Sequence, residues 1–187
     1  MSRERLIRVG EESWKRRMGE MSEYVDGGVL ELVVLFNEMG VRTVGSCGGH
    51  VDHGRLGPWI MFEDERVDDV IQRRRARGGL PEYEEGVKVD PFWEKIFKIN
   101  GDLVKPVADL LRAYYKSGLS ASDGTRLVLG VGKVAILCSK ILNGEHRGNY
   151  VTQGLPLKIR ERQLRVRQAE MEKFYRYVRE RVILIDR

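Results

Sequence analysis

Cysteine and histidine are scarce in this chain, with two Cys and three His among 187 residues. Two cysteines cannot build the disulfide framework of a small secreted domain, and they sit in unlike contexts: Cys47 in a Gly/His loop, Cys138 in an apolar run. No stretch approaches the roughly 18 to 20 uninterrupted apolar residues of a membrane span. The opening MSRERLIRVGEESWKRR has neither the apolar segment nor the small-residue cleavage site of a signal peptide. These absences lead us to expect a reduced, cytoplasmic protein with no membrane partner. Internal repeats, low-complexity tracts and linkers long enough to separate domains are also missing, so residues 1–187 should form a single compact domain. No G-x-G-x-x-G opens a helix, which removes the sequence support for a doubly wound dinucleotide-type site.

What is present is charge. Lys and Arg number 33 against 28 Asp and Glu, a net charge of +5. The surplus is local, because residues 158–181 alone hold nine Lys/Arg against four Glu. A second cluster, Arg73, Arg74, Arg75 and Arg77, follows an acidic stretch from Glu63 to Asp69. Either cluster can meet phosphates, since a local basic patch matters more for nucleic-acid affinity than the global sum.

Patterning predicts an α+β fold in which short strands form a mixed sheet with packed helices. Asp26 followed by GGVLELVVLFNEMG reads as a capped helix with apolar Val29, Leu32, Val33 and Phe36 at helical spacing and Gly40 just past its end. Strands are expected at 41–46 and 58–63, with a glycine-dense site loop over 46–58 between them. A helix fits 64–77 and a second, short one the apolar stripe Phe92, Trp93, Ile96 and Phe97. Another spans 102–115, with Pro106 near its first turn, and two strands flank Gly132 over 125–131 and 133–139. The longest helix runs over 157–181, its apolar line drawn through Leu164, Met171, Tyr175, Val178 and Val182.

The chemistry concentrates in Ser46-Cys47-Gly48-Gly49-His50-Val51-Asp52-His53-Gly54, which holds two of the three histidines and one of the two cysteines. Three readings compete. In one, Cys47, His50 and His53 ligate zinc, with Asp52, His146 or Cys138 as the fourth group, because thiolate plus imidazole suits that metal. In another, Cys47 is a nucleophile and His50 or His53 its base. In the third, the backbone around Ser46, Gly48 and Gly49 binds a substrate or cofactor, with Asp52 and the imidazoles making polar contacts. The catalytic candidates are therefore Cys47, His50 and Asp52. A purely structural turn would use Gly, Asn or Asp and would not need two imidazoles beside a thiol.

The pattern V-x-E-L-x-x-x-x-N followed by a strand ending in S-C-x-G resembles the wybutosine-pathway methyltransferases, which act on a hypermodified guanosine beside the anticodon of phenylalanine tRNA. The residues that carry it are Leu30, Glu31, Leu32, Phe36, Asn37, Thr43, Ser46, Cys47 and Gly49. Trp14-Lys15, the segment 113–118, the strand pair ending at Ser139 and the helix with Glu172-Lys173-Phe174-Tyr175 follow the family's order. His50 stands where that family usually has Arg, a divergent S-C-x-G-H form similar to that of short bacterial and phage proteins. The resemblance implies S-adenosylmethionine-dependent methyl transfer to tRNA, with Ser46, Cys47 and Gly49 in the active-site loop. On the basic helix, Arg165, Lys173, Arg176 and Arg179 are the candidate RNA contacts. Against this, Glu161 to Arg165, Glu172 to Arg176 and Arg176 to Glu180 are spaced as the ion pairs of a solvated helix face.

Overall fold

A computed structural model describes residues 7–52, 56–81, 89–119, 125–139 and 155–185. The chain runs β1 (Ile7–Gly10), α1 (Glu11–Met21), α2 (Gly27–Glu38), β2 (Thr43–Cys47), β3 (Trp59–Phe62), α3 (Glu65–Arg75), α4 (Pro91–Lys116), β4 (Leu127–Val131), β5 (Ala135–Ser139), α5 (Leu157–Arg179) and β6 (Val182–Ile185). This is an α+β domain. Four strands form an antiparallel sheet in the order β2-β3-β5-β4, and β1 pairs in parallel with β6 in a separate two-stranded sheet. No helix of the described residues is long and apolar enough to cross a membrane.

Helix α2 is the centre of the core, with Val29, Leu32, Val33, Val34, Leu35 and Phe36 all buried. Its end follows from local chemistry. Gly40 takes a φ of +78° and the N–H groups of Gly40 and Val41 return to the carbonyls of Asn37 and Phe36, closing the last turn as a Schellman cap. Asn37 then ties the helix to the sheet, donating to Thr43 Oγ1 at 2.7 Å and accepting from Thr43 N–H at 3.2 Å. Phe36 meets Phe62 of β3 edge to face at 5.5 Å.

The two helices expected over 92–97 and 102–115 are one helix, α4, of 26 residues. Asp90 caps it by accepting from Phe92 N–H at 2.8 Å, and Pro91 occupies its first turn, so Pro106 lies inside it and not at a start. A single buried stripe explains the continuity: Trp93, Ile96, Asn100, Val104, Val107, Leu111 and Tyr114 recur at helical spacing across the junction. Burial along that stripe outweighs the one helical bond that Pro106 cannot make. Asn100 is the polar member. It accepts from Asp64 N–H at 3.2 Å and donates to the carbonyls of Gly132 and Lys133, joining the start of α3 to the β4–β5 turn.

Helix α5 also departs from expectation. It ends at Arg179, and Val182 belongs to β6, where it pairs with Ile7. The buried face is Glu170, Met171, Phe174, Tyr177 and Val178. Glu170 is fully buried and accepts from the hydroxyls of Tyr114 at 3.1 Å and Tyr115 at 3.4 Å. Tyr115 in turn accepts from Leu127 N–H, so a chain of hydrogen bonds links α5 through α4 to β4. The tryptophans are divided: Trp93 is buried, while Trp14 and Trp59, like Phe92, are half-buried.

Burial, reinforced by the neighbouring Glu170, holds the Tyr114 hydroxyl well above its ordinary range. Burial likewise pushes Tyr115 and Tyr175 from 10.0 up to about 12. An unfolded tyrosine releases its proton at about pH 10, so above that pH the folded chain binds more protons than the unfolded one. Stability should therefore be intact below about pH 10 and fall as pH rises toward 12. Urea midpoints measured across that window should drop, and Tyr115→Phe should show a shallower drop; a flat profile would contradict the burial of these hydroxyls.

Candidate functional site

The β2–β3 connection begins one residue after Cys47, so Ser46 and Cys47 are the last residues of β2 and the loop proper starts at Gly48. Cys47 pairs in register with Trp59, and Trp59 with Cys138 on the next strand. Two strand spacings, roughly 9 to 10 Å, thus separate the cysteines, which removes Cys138 as a partner for Cys47. His53, Gly54 and His146 lie outside the described residues.

Asp26 closes the site from the other side. It occupies the N-cap position of α2, but its side chain caps nothing in that helix. Its Oδ2 accepts from Gly48 N–H at 2.7 Å, and the carboxylate lies within 4.8 Å of the Cys47 sulfur. The sulfur receives Gly49 N–H at 3.3 Å, and Trp59 is its cross-strand neighbour. Burial is the main reason that the thiol titrates above its ordinary value; the Asp26 charge adds to the rise and the Gly49 N–H opposes it. An uncharged thiol is a poor nucleophile, so this environment does not support Cys47 as a free attacking thiolate.

One ligand-type atom each from Asp26, Cys47 and His50 falls within 4.8 Å of the other two, with Asp26 exposed and the other two half-buried. Asp52 is exposed and is not part of this group. Sequence reasoning took Asp26 for a helix cap and missed its place here. The signal was the Gly27-Gly28 pair behind it, which leaves the first two positions of α2 without side chains.

The loop is covered by α5. Gln168 Nε2 donates to Gly48 O at 3.0 Å, and Arg160 donates to Val51 O. Leu164 and Arg167 press on Gly49 and Gly57. Arg160, Leu164, Arg167 and Gln168 stand at i, i+4, i+7 and i+8, one stripe that continues into buried Met171. The N–H groups of Gly48 and Gly49, expected to face an anion, are thus spent on Asp26 and Cys47, and the carbonyls of Gly48 and Val51 are held by the helix. Of the candidate RNA contacts, Arg165, Lys173 and Arg176 are exposed. Arg176 pairs with Glu172 at 2.9 Å, and Arg179 is half-buried with its guanidinium 6.0 Å from the Trp14 ring centre.

No protein-family model matches this chain, and neither a curated protein nor a solved structure does.

Gly49 has a φ of +87°, and a Cβ there would lie 2.7 Å from Leu164 Cδ1 and 2.8 Å from the Gly57 carbonyl carbon. Gly49→Ala should therefore cost roughly 2 to 4 kcal/mol, left-handed strain plus overpacking. Gly40→Ala has similar backbone but open space around it, and should cost only about 1 to 2 kcal/mol. Urea denaturation of the pair measures the difference, and equal costs would mean that α5 does not bear on the loop.

Proposed function

We propose that the protein is an RNA-modifying enzyme that transfers a methyl group from S-adenosylmethionine to RNA, with tRNA as the substrate class, at the Cys47–His50 loop. The observation that carries this reading is the seating of the basic helix on that loop. Leu164 lies against Gly49, and exposed Arg165 is the next residue along, so a phosphate backbone tracking α5 brings a nucleotide to the loop. The S-C-x-G-H resemblance supports the choice of methyl transfer and of tRNA. When bound, the cofactor supplies an electrophilic methyl group. The Gly48 and Gly49 N–H groups are engaged, so side chains would hold it, and the loop of Cys47 and His50 would face the target nucleoside.

Calorimetric titration should detect S-adenosylmethionine binding, alone or with tRNA, and Cys47→Ser and His50→Gln should abolish methyl transfer with the fold intact. Absence of cofactor binding under both conditions would overturn the methyl-transfer reading. In the same series, Gln at Arg165, Lys173 and Arg176 should weaken RNA binding and flatten the slope of log affinity against log salt by roughly 0.7 to 0.9 per residue. Folding stability should move by under about 1 kcal/mol per site, because exposed charges contribute little to it. An unchanged slope would reduce the helix to a solvated face. Arg179, whose guanidinium lies over the Trp14 ring at 6.0 Å, should behave differently and cost stability as well.

A further inference from the structure

The geometry points to a binding site for a zinc-class divalent cation formed by Asp26, Cys47 and His50, which deepens the reading of this loop as the reaction centre by naming what its side chains hold. The three come from separate places in the fold: the residue that begins α2, the last residue of β2, and the third residue of the loop. Their ligand atoms are within 4.8 Å of one another. Around a tetrahedral zinc, neighbouring ligand atoms are roughly 3.3 to 3.6 Å apart, as Zn–S and Zn–N bond lengths require. Side-chain movements of about an ångström therefore bring the set to ligating distance.

The donor chemistry is selective. One thiolate, one imidazole and one carboxylate form a mixed soft and borderline set that suits zinc and cobalt and disfavours calcium or magnesium, which take oxygen ligands. Hydrogen bonds around the ligands fit the same role. Gly48 N–H fixes one carboxylate oxygen of Asp26 and leaves Oδ1 for an ion. Gly49 N–H is already directed at Cys47 Sγ, as an outer partner of a metal thiolate is. Binding exchanges the thiol proton for the ion: the S–H bond breaks, the sulfur pair forms the metal–sulfur bond, and the proton leaves to solvent. Because Asp26 is exposed, the ion is reachable from water, and its fourth position falls to solvent, substrate or a residue outside the described set.

The test uses the full chain, stripped with a chelator and titrated with cobalt(II) alone, without RNA or S-adenosylmethionine. One equivalent should bind with a thiolate-to-cobalt charge-transfer band and the visible bands of a tetrahedral ion, and zinc should displace it. The band should vanish in Cys47→Ser and persist in Cys138→Ser. Asp26→Asn keeps an acceptor for Gly48 N–H, so its circular dichroism and melting temperature should match the parent while cobalt affinity falls roughly tenfold or more; His50→Gln should do the same. A parent chain without the band overturns the site. So does Asp26→Asn that binds as tightly as the parent while His53→Gln loses the band, which would assign the ion to Cys47, His50 and His53 instead. None of these readouts involves methyl transfer, so failure of the RNA reading and failure of the metal site are separate results.

Discussion

The structure turns on a carboxylate with no access to water. Glu170 sits in the middle of α5 with two tyrosine hydroxyls donating to it, and burying such a group is costly unless its hydrogen bonds are made. Once they are made, α5 is fixed in rotation and in register on α4, because any slip would break the bonds that both hydroxyls donate to the carboxylate. Leu164, Arg167 and Gln168 lie within two turns of Glu170 on the same rigid rod. Its placement therefore sets where they meet the loop, roughly 3 to 9 Å along the axis at 1.5 Å per residue. A polar network in the core thus positions the lid of the candidate site.

That arrangement divides α5 into two halves with different work. From Glu170 onward its inner stripe is Met171, Phe174, Tyr177 and Val178, and it packs as a core helix. Before Glu170 the same stripe carries Arg160, Arg167 and Gln168 around Leu164, and it meets the loop at Gly48, Gly49 and Gly57. Glycine suits this contact because only a residue without Cβ lets Leu164 and Arg167 approach Gly49 and Gly57 so closely. The loop carbonyls need donors, which is why polar side chains occupy positions that an apolar helix face would otherwise fill.

Local signals were legible in the sequence, and contacts between distant segments were not. The end of α2 at Gly40, the start of α3 at Asp64 and the β2 and β3 strands each depend on a few neighbouring residues, and all were readable to within one or two positions. The break expected between 97 and 102 arose because Pro106 suits the first turn of a new helix; the helix instead runs through, and Asn100 is held inside α4 by partners on α3 and the β4–β5 turn. The pair β1 and β6 went unread because four residues at each end of the fold carry no turn signal, and their pairing is parallel and non-local. Within the site, Cys47 and His50 stood out by rarity. Glu170 did not, because among the charged residues of 157–181 its spacing resembled a solvated face.

Asp26 shows why a residue can be placed correctly and its role still be missed. Aspartate before a helix ordinarily accepts from an N–H of the first turn, and giving that up costs about 0.5 to 2 kcal/mol. Here the backbone of Asp26 does begin α2, accepting from Val29 and Leu30, while its side chain turns away to Gly48 and Cys47. The first turn of α2 has no other acidic residue to replace it. Burial of six apolar side chains along α2 stabilises the helix by far more than the lost cap, roughly 1.5 to 3 kcal/mol each before entropy, so the fold can release this carboxylate. A local rule broken at one residue, with the diverted group meeting a thiol and an imidazole from other elements, is the pattern expected of a site and not of a scaffold.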